Sequence, residues 1–108
     1  MNNTLHTLTL IQATPDRERA LAAHLELIRE QARQAPGCLD FQVLRDADNA
    51  RRWVIHETWR SAADLDNHLL TPYMQDFFNE LAKLVDDIDT RLLLAPFDAQ
   101  PAEDDPVP

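Results

Sequence analysis

The chain has 108 residues, 44% of them hydrophobic and 27% charged, with a formal net charge of −9; this is the size of one domain, whose thin core gains by burial against a second copy. Gly37 is the only glycine and Cys38 the only cysteine, which excludes glycine-rich phosphate loops, an intrachain disulfide and a multi-thiolate zinc site. The acidic balance excludes a nucleic-acid partner, whose phosphates need clustered Lys and Arg, and no apolar run is long enough for membrane insertion.

Met1 to Leu10 has neither a basic start nor a continuous apolar stretch, so no signal peptide is read and a cytoplasmic location is expected. From Thr4 to Ala13, threonine and leucine alternate without a breaker, as in a strand covered on both faces. Thr14-Pro15 reads as a hydroxyl N-cap followed by proline at the first helical position. Leu21, Leu25, Ile28 and Ala32 then recur at helical spacing, and Pro36-Gly37 stops the helix. A second strand, Cys38 to Arg45, carries Leu39, Phe41 and Val43 on one face. Asp46 to Asn49 is turn chemistry. The third strand, Arg52 to Trp59, sets Trp53, Ile55, Glu57 and Trp59 against Val54, His56 and Thr58.

Ser61 caps a short helix with Ala62, Leu65 and Leu69 inward. Thr71-Pro72 repeats the cap-plus-proline device and opens a further helix, with Met74, Phe77, Phe78, Leu81 and Leu84 inward. A last strand runs from about Ile88 to Ala95. Residues 1–97 read as one domain, and residues 98–108, rich in proline and acid, as a disordered tail. The order β-α-β-β-α-β is the ferredoxin-like split arrangement, an α+β fold with an antiparallel sheet and helices on one face. Neither face of the third strand is plainly polar, so the uncovered side implies a homodimer with two sheets face to face, a dimeric α+β barrel.

Glu57-Thr58-Trp59-Arg60-Ser61, then Leu65, His68-Leu69 and Thr71-Pro72-Tyr73-Met74, is similar to the antibiotic biosynthesis monooxygenase family, in its quinol-monooxygenase-like branch. Pro36-Gly37-Cys38 and Arg91 fit the same pattern, and the resemblance spans roughly residues 5 to 96. It implies a cofactor-free oxidation of a quinol or another electron-rich aromatic by O2. The protein's part would be to remove a proton, hold the anion and exclude water. Haem-degrading relatives have tryptophan at the place of His68 and their iron-binding histidine at that of Phe78; polyketide-oxidising members have asparagine at the place of Ile55. The resemblance therefore implies neither haem nor their polyketide mechanism here.

His68, at the edge of the inward stripe, is the first candidate for a base, since imidazole titrates in the useful range; equally, it could only hydrogen-bond backbone where two helices meet. Glu57 is the second candidate. It could take a substrate proton, or it could form a salt bridge to Arg91 or Arg52. Trp59 reads as a pocket wall, and Phe41, Tyr73, Met74, Phe77 and Arg91 as further pocket residues, with plain core packing the alternative for the residues of the last helix. His56 is expected to pack toward the helices. Adjacent strand residues point apart, so His56 and Glu57 would not reach one metal ion, and no metal is expected. The same scaffold could instead host an isomerase or dione-metabolising enzyme that uses His68 and Glu57 as acid and base, or a non-catalytic stress-response dimer.

Overall fold

The computed structural model describes residues 4–94; Ala95, the boundary at 97 and the tail 98–108 lie outside the described residues. Strands β1 (Leu5–Ala13), β2 (Cys38–Arg45), β3 (Arg52–Trp59) and β4 (Val85–Leu93) form one antiparallel sheet in the order β2-β3-β1-β4. Helices α1 (Glu18–Ala32), α2 (Ala62–Leu69) and α3 (Pro72–Leu81) complete the ferredoxin-like order, with the second crossover broken into two helices. No helix of the described residues is long and apolar enough to cross a membrane.

The apolar stripe of α1 does what its spacing dictates. Leu21, Leu25, Ile28 and Ala32 are all buried, and they meet Ile11, Ala13, Phe41 and Ile55 from the sheet and Met74, Phe77 and Leu81 from α3. The helices therefore cover the face that carries Trp53, Ile55, Glu57 and Trp59. Register extends that face across the sheet, with Thr7 opposite Glu57 and Leu92, Thr9 opposite Ile55 and Thr90, and Ile11 opposite Trp53 and Ile88. The opposite face carries His6, Leu8, Leu10, Val54, His56 and Thr58, and no helix of the described residues covers it. His56 thus points away from the helices, opposite to expectation, and within one chain the helices cover a single face of β1.

Three local readings are corrected. Leu39 is the unpaired extra residue of a bulge between Cys38 and Asp40, which turns it outward to 58% exposure while Phe41 stays buried. Phe78, expected inward, is 41% exposed. Thr14-Pro15 does not start α1. The Arg17 N–H donates to the Thr14 carbonyl (2.9 Å), Pro15 fills the second position of that turn and Asp16 has φ 70°, the pattern of a type II turn. The Thr14 hydroxyl donates instead to Asp86 (3.0 Å), which also holds Arg51 at 3.0 Å.

Ala35-Pro36-Gly37-Cys38 repeats that turn. Cys38 N–H donates to Ala35 O (3.1 Å), and Gly37 sits at φ 81°. A side chain at residue 37 would be strained at that φ and would overlap the Asp64 carboxylate, which Arg60 and Ser61 already hold at 2.8 and 2.9 Å. Gly37→Ala is expected to cost about 2 kcal/mol, read as a lower urea midpoint with an unchanged slope. At 71–72 the expected helix start holds, because Thr71 is extended and Pro72 opens α3. The Thr71 hydroxyl does not cap α3, however; it donates back to the His68 carbonyl at 2.8 Å, closing the end of α2.

Candidate active site

Between the helices and the sheet lies a cavity of about 130 Å³. Phe41, Ile55, Leu65, Leu69, Met74 and Phe77 make it apolar, and Phe78, Ile88 and Leu92 line the side where side chains remain exposed. Its polar atoms come from Glu57 and from the hydroxyls of Thr7, Thr9 and Thr90. Thr9 and Thr90 hydrogen-bond each other at 3.2 Å. Register places Thr7 directly opposite Glu57.

Glu57 has no ion pair among the described residues. Its Oε1 accepts the indole N–H of Trp59 at 2.8 Å, the two residues lying two apart on the same strand face. Arg91 and Arg52, its expected partners, are on the other face: Arg91 pairs with Asp89 (3.2 Å) and Arg52 approaches Asp46 (3.9 Å). Arg91 is therefore not a cavity residue of this chain. Burial pushes the Glu57 carboxyl above its ordinary value of 4.5, against the opposing pull of the Trp59 donor and the nearby Thr7 hydroxyl. The Thr7 hydroxyl is itself buried without a well-formed hydrogen bond.

Trp59 is fully buried and stands behind Glu57 rather than on the cavity wall. His68 packs on it, with ring centroids 4.7 Å apart and planes tilted by 35°. On its other side His68 Nδ1 is bound to the Tyr73 hydroxyl at 2.9 Å. His68 is 3% exposed and its Nε2 has no partner. Burial lowers its pKa, so the ring is neutral at neutral pH. The His68 carbonyl closes the helix junction, while its ring belongs to a chain of contacts Tyr73–His68–Trp59–Glu57.

That chain joins two spaces. His68 and Tyr73 do not line the inner cavity; they line an outer groove of about 530 Å³ together with Gln31, Gln34, Asn67 and Thr71. Phe41, Met74 and Phe77 line the inner cavity as expected, whereas Trp59, Tyr73 and His68 stand behind or beside it. The threonine row went unread in the sequence. Thr7 and Thr9 were visible as alternating strand residues, but only strand pairing sets them beside Glu57 and Thr90. Cys38 is held as a neutral thiol, its pKa raised first by burial and then by the nearby Glu57 charge. Among the described residues, no three of His, Cys, Asp or Glu gather closely enough to hold a metal ion.

The model of the family described as "Antibiotic biosynthesis monooxygenase" matches residues 4–80. The chain belongs to the antibiotic biosynthesis monooxygenase family. The matched stretch runs from β1 through most of α3 and so contains Glu57, Trp59, His68 and Tyr73. One curated relative in sequence is sll1783, an uncharacterized protein of Synechocystis sp., 29% identical over 75 residues, or 69% of this chain and 51% of that protein. The chain thus spans about half the length of the curated relative it matches.

Several solved structures share the fold. Protein PA3566 of Pseudomonas aeruginosa superposes with a TM-score of 0.83 at 24% identity, covering 88% of this chain and 96% of that one. Rv0793 of Mycobacterium tuberculosis gives 0.83 at 22%, covering 91% and 100%. At these identities the likeness establishes the ferredoxin-like α+β architecture of the family, and the chemistry rests on the residues.

Proposed function

We propose that this chain is a cofactor-independent monooxygenase that oxidises a quinol or related electron-rich aromatic with O2, as a homodimer joined through its open sheet faces. The observation that carries the reading is Glu57: a half-buried carboxylate with raised pKa and no cation partner among the described residues, at the wall of a mostly apolar cavity. Such a carboxylate is an unusually strong base for its type, and the apolar walls around it limit the water that reaches it.

In this scheme Glu57 takes the phenolic proton. The resulting anion supplies electrons to O2 and a carbon–oxygen bond forms, giving a peroxide, whose O–O bond breaks as the proton on that carbon passes to the departing oxygen. One oxygen atom stays in the quinone product. The other leaves as water, protonated by the carboxylic acid of Glu57, and the substrate gives up four electrons in all. The threonine hydroxyls supply hydrogen bonds to ring oxygens. His68, the first choice as base in the sequence, takes a positioning role, because its ring holds Trp59, which in turn holds Glu57. A cavity near 130 Å³ is close to the about 150 Å³ that accepts a benzene-sized guest, so single-ring substrates are favoured.

Oxygen uptake by protein freed of metal and haem, over one- and two-ring quinols and corrected for autoxidation, tests the reading. The expected uptake scales with protein, survives a chelator, is greatest for single rings, and falls about ten- to a hundredfold in His68→Ala with the dimer retained. Flat traces across the panel would sink the oxygenase reading and favour an isomerase or a non-catalytic dimer. A His68→Ala protein that loses its fold or dimer, with uptake per folded dimer unchanged, would make His68 purely structural.

A further inference from the structure

Apart from the cavity, the chemistry left over lies on the open face of the sheet. His6 of β1 and His56 of β3 are diagonal neighbours there, because His6 pairs with Thr58 and Leu8 with His56. Their rings lie within 15° of parallel, with centroids 5.5 Å apart. His6 Nδ1 stands 3.3 Å from His56 Nε2, and Thr58 Oγ1 is also 3.3 Å from that Nδ1. Both residues are half-buried.

We propose that this pair is a binding site for a divalent transition-metal ion of the Zn²⁺ or Cu²⁺ class, ligated by His6 Nδ1 and His56 Nε2. Nitrogen–zinc bonds of about 2.0–2.1 Å at a tetrahedral angle set two ligand nitrogens about 3.3–3.4 Å apart. The observed separation already has that span, so the rings need only tilt until both lone pairs meet beside the line joining the nitrogens. Imidazole pairs suit zinc, copper and nickel rather than magnesium or calcium.

The ion takes the place of the hydrogen shared between the rings. That hydrogen moves to the far nitrogen of the ring that carried it, which leaves both facing nitrogens free to ligate the ion. The β1–β3 ladder runs past both residues, from Leu5 opposite Trp59 to Gln12 opposite Arg52, and fixes the two backbones before any ion arrives. No third His, Cys, Asp or Glu is grouped with the pair among the described residues. The remaining positions are left to water or to the same pair on a second copy packed on this face. The site is on the far side of the sheet from Glu57, on the face through which the proposed homodimer would join.

Zn²⁺ titrated into the intact, chelator-stripped protein, followed by calorimetry and by the histidine ring resonances, tests it. One saturable site is expected, with shifts confined to His6 and His56 while His24 and His68 stay in place. Affinity should fall at least about tenfold in both His6→Gln and His56→Gln. One ion per chain assigns the remaining positions to water; one ion per two chains assigns them to a second copy; both support the site. Absence of binding up to millimolar Zn²⁺ overturns it, as does binding that leaves the two rings unshifted in the wild type or unweakened in both folded variants.

Discussion

Glu57→Gln is expected to abolish most quinol oxidation while making the fold more stable at neutral and alkaline pH. A positioned general base contributes roughly 10²- to 10⁴-fold, and an amide cannot take the proton, so the loss in kcat should fall in that range. The amide oxygen can still accept the Trp59 N–H, which keeps the local packing. The stability gain follows from proton linkage. Burial raises the Glu57 pKa in the folded chain above its ordinary 4.5, so the native state binds that proton more tightly than the unfolded one. The stabilisation is complete below the unfolded value and is lost as pH rises through the folded value. Glutamine carries no such penalty. Thermal melts should therefore show the two proteins converging in acid and the variant melting higher as pH rises. For the wild type, turnover should increase with pH through the raised carboxyl value. A variant that keeps its activity would remove Glu57 from the mechanism, and one that unfolds at all pH values would make it structural.

Trp59→Phe should move the pH profile rather than abolish the reaction. The indole N–H at 2.8 Å is the side-chain donor on the Glu57 carboxylate, and it is the largest influence acting against the burial that raises the pKa. Without it the carboxyl rises further. The acid limb of kcat should then shift to higher pH, with most turnover recovered once the medium is alkaline enough to ionise Glu57. The phenyl ring keeps part of the contact with His68 but leaves a small void in a fully buried place, so stability should fall by about 1–3 kcal/mol. His68→Ala serves as the comparison. It removes the ring that holds Trp59 yet leaves the indole donor, so it should lower turnover with little displacement of the limb. Equal displacement in the two variants would mean that Trp59 acts only through packing.

The candidate site was legible in the sequence as a set of residues and not as an arrangement. Glu57, Phe41, Met74 and Phe77 were recognisable as residues able to line an apolar pocket, and they do line one. The partner of Glu57 was not recognisable. A salt bridge to Arg91 was reasonable while the face of β4 was unknown, but the register sets Arg91 opposite Leu8 and Leu92 opposite Thr7. A shift of one residue would have reversed that outcome, because strand side chains alternate sides. Spacing offers Tyr73 as a pocket residue, with its hydroxyl free to face the cavity. The break between α2 and α3 turns that hydroxyl to His68 instead.

What the sequence determined by itself is what short-range physics encodes. Residue alternation marked β2 and β3 to the residue, and helical spacing marked every buried position of α1. Periods of two and 3.6 are properties of neighbouring residues and need no knowledge of the rest of the chain. Even there, one dipeptide carried two meanings: Thr-Pro makes a turn at 14–15 and a helix start at 71–72. The difference comes from Asp16 taking φ 70° and from the distant Asp86 claiming the Thr14 hydroxyl. The tertiary structure alone decided which sheet face the helices cover, and with it that Glu57 faces a cavity and His56 does not. Alternation defines two faces but cannot name the buried one. That choice belongs to the packing of α1 and α3 on strands far away in sequence, where the apolar area of the whole layer, and not of any one segment, is removed from water.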